Sequence, residues 1–210
     1  MYPIELRRDT GIDGAALELV LNQNRIQLAT GDVLYSDGDK YLPAIAVYQH
    51  LSKFLKTTND VLVLGAGMGS MMQVMNANGC TPYFTLVEKD KLILKWAMEF
   101  VPDASEERIL PVCDDAAAYM RRNKTTYDFI FIDIFYGRDV PDFVVSAEFL
   151  MLCRSALNKG GYLALNYIAD DPQRWAELET VFAALYPGYV VLGVNVNKIL
   201  IASLGAEIGV

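Results

Sequence analysis

The chain has 210 residues, 53% hydrophobic and 21% charged, a balance that excludes a disordered protein and leaves enough apolar material for a full core. Its net charge of −8 argues against nucleic acid or another polyanion as partner, and no segment approaches the roughly 18 apolar residues of a membrane span. The three cysteines, Cys80, Cys113 and Cys153, show no CxxC spacing; they read as reduced, mostly buried residues of a cytoplasmic protein, and no metal site is expected.

Residues 1–42 are expected to form a small N-terminal β-region. Leu17 to Leu21, Arg25 to Ala29 and Val33 to Tyr35 are short strand-like stretches broken by Asn22, Asn24 and Gly31, the pattern of a hairpin or meander. Residues 43–210 then alternate strand and helix. A helix runs from Pro43 to Leu55 and carries His50, the only histidine, which reads as a surface or half-buried helix residue. Strands follow at 61–64, 84–87, 109–112, 129–132 and 162–166, with helices after the glycine loop and near 91–100, 114–122 and 146–157. Lys159, Gly160 and Gly161 read as the turn into the strand at 162. Asp171 and Pro172 suit the start of a helix that carries Trp175, Leu178, Phe182 and Leu185 on one face. The strands at 189–194 and 198–203 are separated by so few residues that they must pair antiparallel.

The segment from Asp60 to Asp90 carries the chemistry. Val61 to Leu64 is a buried-strand run, and Gly65, Gly67 and Gly69 let the backbone turn and approach a ligand at the next helix. Glu88, at the end of the second strand, stands where a carboxylate accepts hydrogen bonds from ribose hydroxyls. Two cofactor classes share this cradle. Against a dinucleotide, Ser70 occupies the third-glycine position, no tyrosine is followed four residues later by lysine, and no separate catalytic domain is evident. The terminal hairpin and the strand-end carboxylates Asp114 and Asp133 favour S-adenosylmethionine instead.

The glycine loop, VEKD at 87–90, Asp114 with Asp115 and Ala116 behind it, and the segment from Tyr127 to Asn166 together resemble the spermidine synthase-like group of the Class I S-adenosylmethionine-dependent methyltransferase fold. The resemblance implies a Rossmann-like α/β fold with a mostly parallel seven-stranded sheet, a C-terminal antiparallel hairpin and a short N-terminal β-hairpin region. It also implies that Gly65, Gly67 and Gly69 pass under the methionine moiety, that Glu88 binds ribose, and that Asp114, with Asp115, contacts adenine. Asp133 is implied to orient or deprotonate the acceptor, with Tyr41 and Tyr136 walling its pocket, and a homodimer is compatible with the family.

The chain departs from that pattern in four places, one of them Tyr35, where the family has a glutamine near the end of the N-terminal hairpin. Met68 stands where the aminopropyltransferases carry a loop acid, Tyr136 where they carry a second aspartate, and Leu42 and Pro43 follow Tyr41 in place of their YHE phrase. A polyamine nitrogen has a pKa of about 10, so an acceptor amine needs help in losing its proton. With one loop acid gone and a phenol for the second aspartate, the sequence ranks methyl transfer from S-adenosylmethionine to a small amine first. Aminopropyl transfer from decarboxylated S-adenosylmethionine ranks second, and a non-catalytic cofactor-binding protein third.

Overall fold

A computed structural model describes residues 3–31, 33–100 and 106–205. The outer ends of the two expected segments, 1–2 and 206–210, lie outside the described residues. Strands β1 (Ile4–Thr10), β2 (Ala16–Asn22), β3 (Arg25–Thr30) and β4 (Val33–Ser36) form an antiparallel meander. This is one strand more than the sequence pattern predicts: β1 is exposed at every residue, so it has no apolar alternation to read.

The main sheet contains β5 (Asp60–Leu64), β6 (Tyr83–Glu88), β7 (Ile109–Cys113), β8 (Tyr127–Ile132), β9 (Leu157–Ile168), β10 (Val190–Val194) and β11 (Asn197–Ser203). Their order is β10-β11-β9-β8-β5-β6-β7, and β11 runs opposite to the other six. The helices are α1 (Leu42–Leu55), α2 (Ser70–Ala77), α3 (Lys91–Glu99), α4 (Ala116–Arg122), α5 (Ala147–Ser155) and α6 (Pro172–Leu185). Chain progression reverses between β5 and β8, which opens a crevice at the carboxyl ends of these strands.

Side-chain alternation builds one apolar layer on each face of the sheet. Leu62, Leu64, Ile130, Ile132, Leu163 and Leu165 point one way, with residues of α4, α5 and α6; Val61, Val63, Phe129, Phe131 and Ala164 point the other, with α1 and α2. Helix starts are locally encoded. Asp90 accepts from Leu92 and Ile93, Asp115 from Ala118, Ser146 from Phe149, and Asp171 from Gln173 and Arg174.

Two boundaries differ from the sequence reading. α5 stops at Ser155, and β9 begins at Leu157, taking in the glycine pair read as a turn. Gly160 has φ +79, and a Cβ on Gly161 would lie 2.7 Å from the Asp128 carbonyl oxygen, so the pair allows close strand packing rather than a reversal. The terminal turn has two residues, not three: Val194 pairs with Asn197, and Asn195 takes φ +54.

A third cluster, Leu17, Leu19, Leu28, Met68, Ile93, Trp96 and Ala97, joins the small sheet to the glycine loop and α3. Met68 is 2% exposed and belongs to this cluster. Replacing it by Asp would bury an unpaired carboxylate there, so urea denaturation of Met68→Asp is expected to show a loss of about 3 kcal/mol or more. Met68→Leu should stay within about 1.5 kcal/mol of the parent.

Candidate active site

The crevice widens into a cavity of about 730 Å³ lined from both sheets and from the start of α1. Its floor is the glycine loop. The N–H groups of Gly65 and Ala66 both donate to the Val87 carbonyl, at 3.0 and 3.1 Å, and the Asp133 N–H donates to the Leu64 carbonyl at 2.9 Å. A Cβ on Gly65, at φ +80, would overlap the Asp133 carbonyl oxygen; one on Gly67 would meet only the Tyr35 carbonyl oxygen, at 3.9 Å. Gly69, at φ +74, is the residue before α2. Gly65 is thus required by the meeting of two strand ends, while Gly67 keeps the cavity side open.

On one side of this floor stand the carboxylates that follow β6 and β7. Glu88 accepts from the Gly67 N–H and the Asp90 N–H, each at 3.0 Å, and burial raises its carboxyl above the ordinary range. Asp114 accepts from the Asp115 N–H at 2.9 Å, and its buried Oδ2 faces the Arg122 guanidinium as an ion pair without an aligned hydrogen bond. Asp115 caps α4 through the Ala118 N–H at 3.0 Å. All three, with Asp90, line the cavity.

Asp133 stands on the other side, at the end of β8. Its Oδ1 accepts from the Asn166 amide at 2.8 Å and from the Tyr41 hydroxyl at 3.2 Å. Asn166 in turn accepts from the Asn197 amide at 2.9 Å, so α1, β8, β9 and the terminal hairpin converge on this carboxyl. Burial raises it to about 7, opposed by the Asn166 and Tyr41 hydrogen bonds. The Tyr41 phenol is pushed well above its ordinary value, first by burial and then by the charge of Asp133, and remains a donor at neutral pH.

The loop after Asp133 covers the opening. The Gly137 N–H donates to the Tyr35 hydroxyl at 2.6 Å, and Tyr136 and Asp139 exchange main-chain hydrogen bonds. The Tyr136 phenol accepts from Lys89 Nζ at 3.0 Å. The structure therefore gathers Gly65, Gly67, Glu88, Asp114, Asp115, Asp133, Tyr41 and Tyr136 around one cavity, whereas the Met68 side chain lies in the cluster beneath it. His50 is exposed on α1 and is not among the lining residues; Cys80 and Cys153 are buried, and Cys113 is exposed on the edge strand β7. Asn166, Asn197 and Lys89 were not singled out by sequence. The one available signal was Asn166 as a polar residue inside the apolar run LALNYI.

The family model described as the spermine/spermidine synthase domain matches residues 45–180. The N-terminal histidine N-methyltransferase of Emericella nidulans is 29% identical over 117 residues, 53% of this chain and 20% of that protein. Polyamine aminopropyltransferase 1 of Pseudomonas aeruginosa is 28% identical over 108 residues, 49% of this chain and 38% of that protein. The chain therefore spans well under half the length of these two relatives. In structure it is similar to a probable spermidine synthase from Corynebacterium glutamicum, with TM-score 0.79 and 20% identity over 96% of this chain and 81% of the other. The fold is the α/β class I methyltransferase-like fold with an added antiparallel sheet.

The two glycine environments predict different outcomes. Gly65→Ala places a methyl group against main chain and should cost about 2 kcal/mol or more in thermal or urea unfolding, with loss of Asp133 alignment. Gly67→Ala meets no such obstacle and should cost about 1 kcal/mol, the strain of a left-handed alanine.

Proposed function

The chain belongs to the spermine/spermidine synthase family, and on that premise we propose that it transfers an aminopropyl group from decarboxylated S-adenosylmethionine to a small amine. Methyl transfer, ranked first from sequence, gives way on two counts. The family model and the polyamine relatives favour aminopropyl transfer. In addition, position 68 faces the cluster under the loop, so the absence of an acid there does not remove a charge from the cavity wall. Methyl transfer is retained as a second reading because the fungal N-methyltransferase is similar over half of the chain.

The cavity suits an adenosine-type cofactor by size and by donor set: buried carboxylates on one side, glycine backbone beneath. Glu88 would hold the ribose and Asp114, with Asp115, the adenine amino group. When bound, the cofactor supplies an electrophilic carbon attached to a sulfonium sulfur. Asp133 accepts the proton that the acceptor ammonium loses, while Tyr41 and Asn166 fix its carboxyl.

The raised Asp133 carboxyl is the observation that carries this reading. Moving a proton from an amine of pKa about 10 to an ordinary aspartate of pKa about 4 is uphill by roughly 8 kcal/mol; an acceptor near 7 halves that. A single carboxyl so placed meets the need that the sequence assigned to two. It also argues against a non-catalytic protein, because a buried carboxyl opposes folding at neutral pH and such a cost is characteristically kept where the group is used.

The test combines binding and rate. Calorimetry should detect decarboxylated S-adenosylmethionine, and kcat/KM with an amine should rise with pH through a midpoint near 7. Asp133→Asn should lose about 10² to 10⁴ in kcat and keep cofactor affinity within a few-fold. The stability sign is opposite to the rate. The folded carboxyl titrates above its unfolded value, so its relative contribution is fully present below about pH 4 and is lost as pH rises through about 7; Asp133→Asn should flatten that fall. An Asn variant with parental kcat, or no binding of either cofactor form at millimolar concentration, excludes the proposal.

A further inference from the structure

Resting on the amine-transferase reading above, we infer that the acceptor is a primary amine with a single positive charge and an apolar body, and that a diamine is a poor substrate. The sheet order divides the cavity into unlike halves. Glu88 ends β6, Asp90 follows it, and Asp114 and Asp115 follow β7. The half built from β8, β9, the terminal hairpin and the start of α1 supplies one carboxyl, Asp133, among the described residues. Its other walls include Leu42, Pro43, Phe135, Ile168, Val194 and Val196.

Asn195, at the terminal turn, brings an uncharged amide to the lining of that half, and the other polar side chains there have a partner close by or carry positive charge. Tyr41 and Asn166 each donate to Asp133, and Asn197 donates to Asn166. Lys89, at the same opening, places its ammonium 3.0 Å from the Tyr136 hydroxyl and 5.1 Å from the ring centroid. Arg138 lines that opening too and has no ion pair among the described residues. Three acids elsewhere are engaged: Asp13, which lines the cavity from the turn after β1, accepts from the Ala15 N–H at 3.0 Å and its charge acts on Lys89; Asp37 of the small sheet accepts from Arg25 at 3.0 Å and Gln27 at 2.7 Å; and Asp142, outside the cavity lining, pairs with Arg174 at 2.6 Å.

An acceptor whose first nitrogen sits at Asp133 therefore extends its remainder along hydrocarbon or toward cations. A second ammonium would lose its hydration there and would have to compete with Lys89 for Asp13 or with Arg25 for Asp37. Methylene groups on the same path gain affinity, about three- to fourfold for each one buried. Leu42 and Val196, 49% and 55% exposed, extend this apolar surface to the opening.

Hexylamine, putrescine and 4-aminobutyrate separate the possibilities, each assayed with decarboxylated and ordinary S-adenosylmethionine on the full chain, with products read by mass spectrometry. Hexylamine should exceed both other acceptors at least tenfold in kcat/KM. Leu42→Glu places a carboxylate on the apolar wall at an exposed helix start and should narrow the hexylamine-to-putrescine ratio about tenfold, with unchanged thermal stability. Putrescine equal to or better than hexylamine overturns the inference. So does a preference for 4-aminobutyrate, which would make the cations the determinant, or failure of hexylamine to react with or bind the cofactor-loaded chain. Cofactor binding with the wrong amine order defeats this inference alone; failure of both cofactor forms to bind defeats the transferase reading as well.

Discussion

Gly65 and Asp133 end neighbouring parallel strands, and their main chains come so close that no side chain fits on the first of them. The Asp133 N–H extends the β5–β8 ladder by one bond to Leu64, and the Gly65 and Ala66 N–H groups reach across to Val87 on β6. Three adjacent strand ends are thus tied together by backbone alone. The glycine loop, Glu88 and Asp133 take their relative positions from these bonds, which do not depend on side-chain rotamers. A site on rigid strand ends in this way holds its geometry with little ordering left for the moment of binding.

Onto that frame the fold adds one costly group. A carboxyl as buried as Asp133 opposes folding once ionised, and two hydrogen bonds from Asn166 and Tyr41 only partly offset the lost hydration. The donors come from widely separated parts of the chain. Tyr41 precedes α1, Asn166 lies in β9, and Asn197, which orients Asn166, begins β11. The reversed strand and its two-residue turn therefore do more than finish the sheet: they set the amide that holds the carboxyl.

The parts legible in the sequence were those with a periodic or local signature. The β5 run, the glycines, Glu88 and the terminal antiparallel pair follow from alternation, φ requirements and short spacing. β1 was not legible because a strand exposed throughout leaves no pattern. Glycine at 160 and 161 signals both reversal and close approach in sequence, and only the Asp128 carbonyl beside Gly161 distinguishes them. Met68 shows a different limit. Its place in the loop was legible, its direction was not, since an αL glycine on either side turns the intervening side chain away from the cavity into the cluster around Leu17 and Trp96. The Asn166 relay was invisible for a further reason: it joins residues 41, 133, 166 and 197, which no sequence window brings together.

The unequal charge of the two halves has its own structural origin. Asp90 and Asp115 line the cavity and also cap α3 and α4, so each satisfies helix N–H groups that would otherwise face the ligand side unpaired. An acid at those positions stabilises the fold whatever the ligand. The acceptor half has no such requirement: α1 starts with Tyr41, which makes no side-chain cap, followed by Leu42 and Pro43, whose ring removes one of the unpaired donors. The caps of α5 and α6, Ser146 and Asp171, are not among the cavity-lining residues. Asp90 and Asp115 are thus held in place by helix capping, whereas no helix cap calls for a carboxylate at the start of α1.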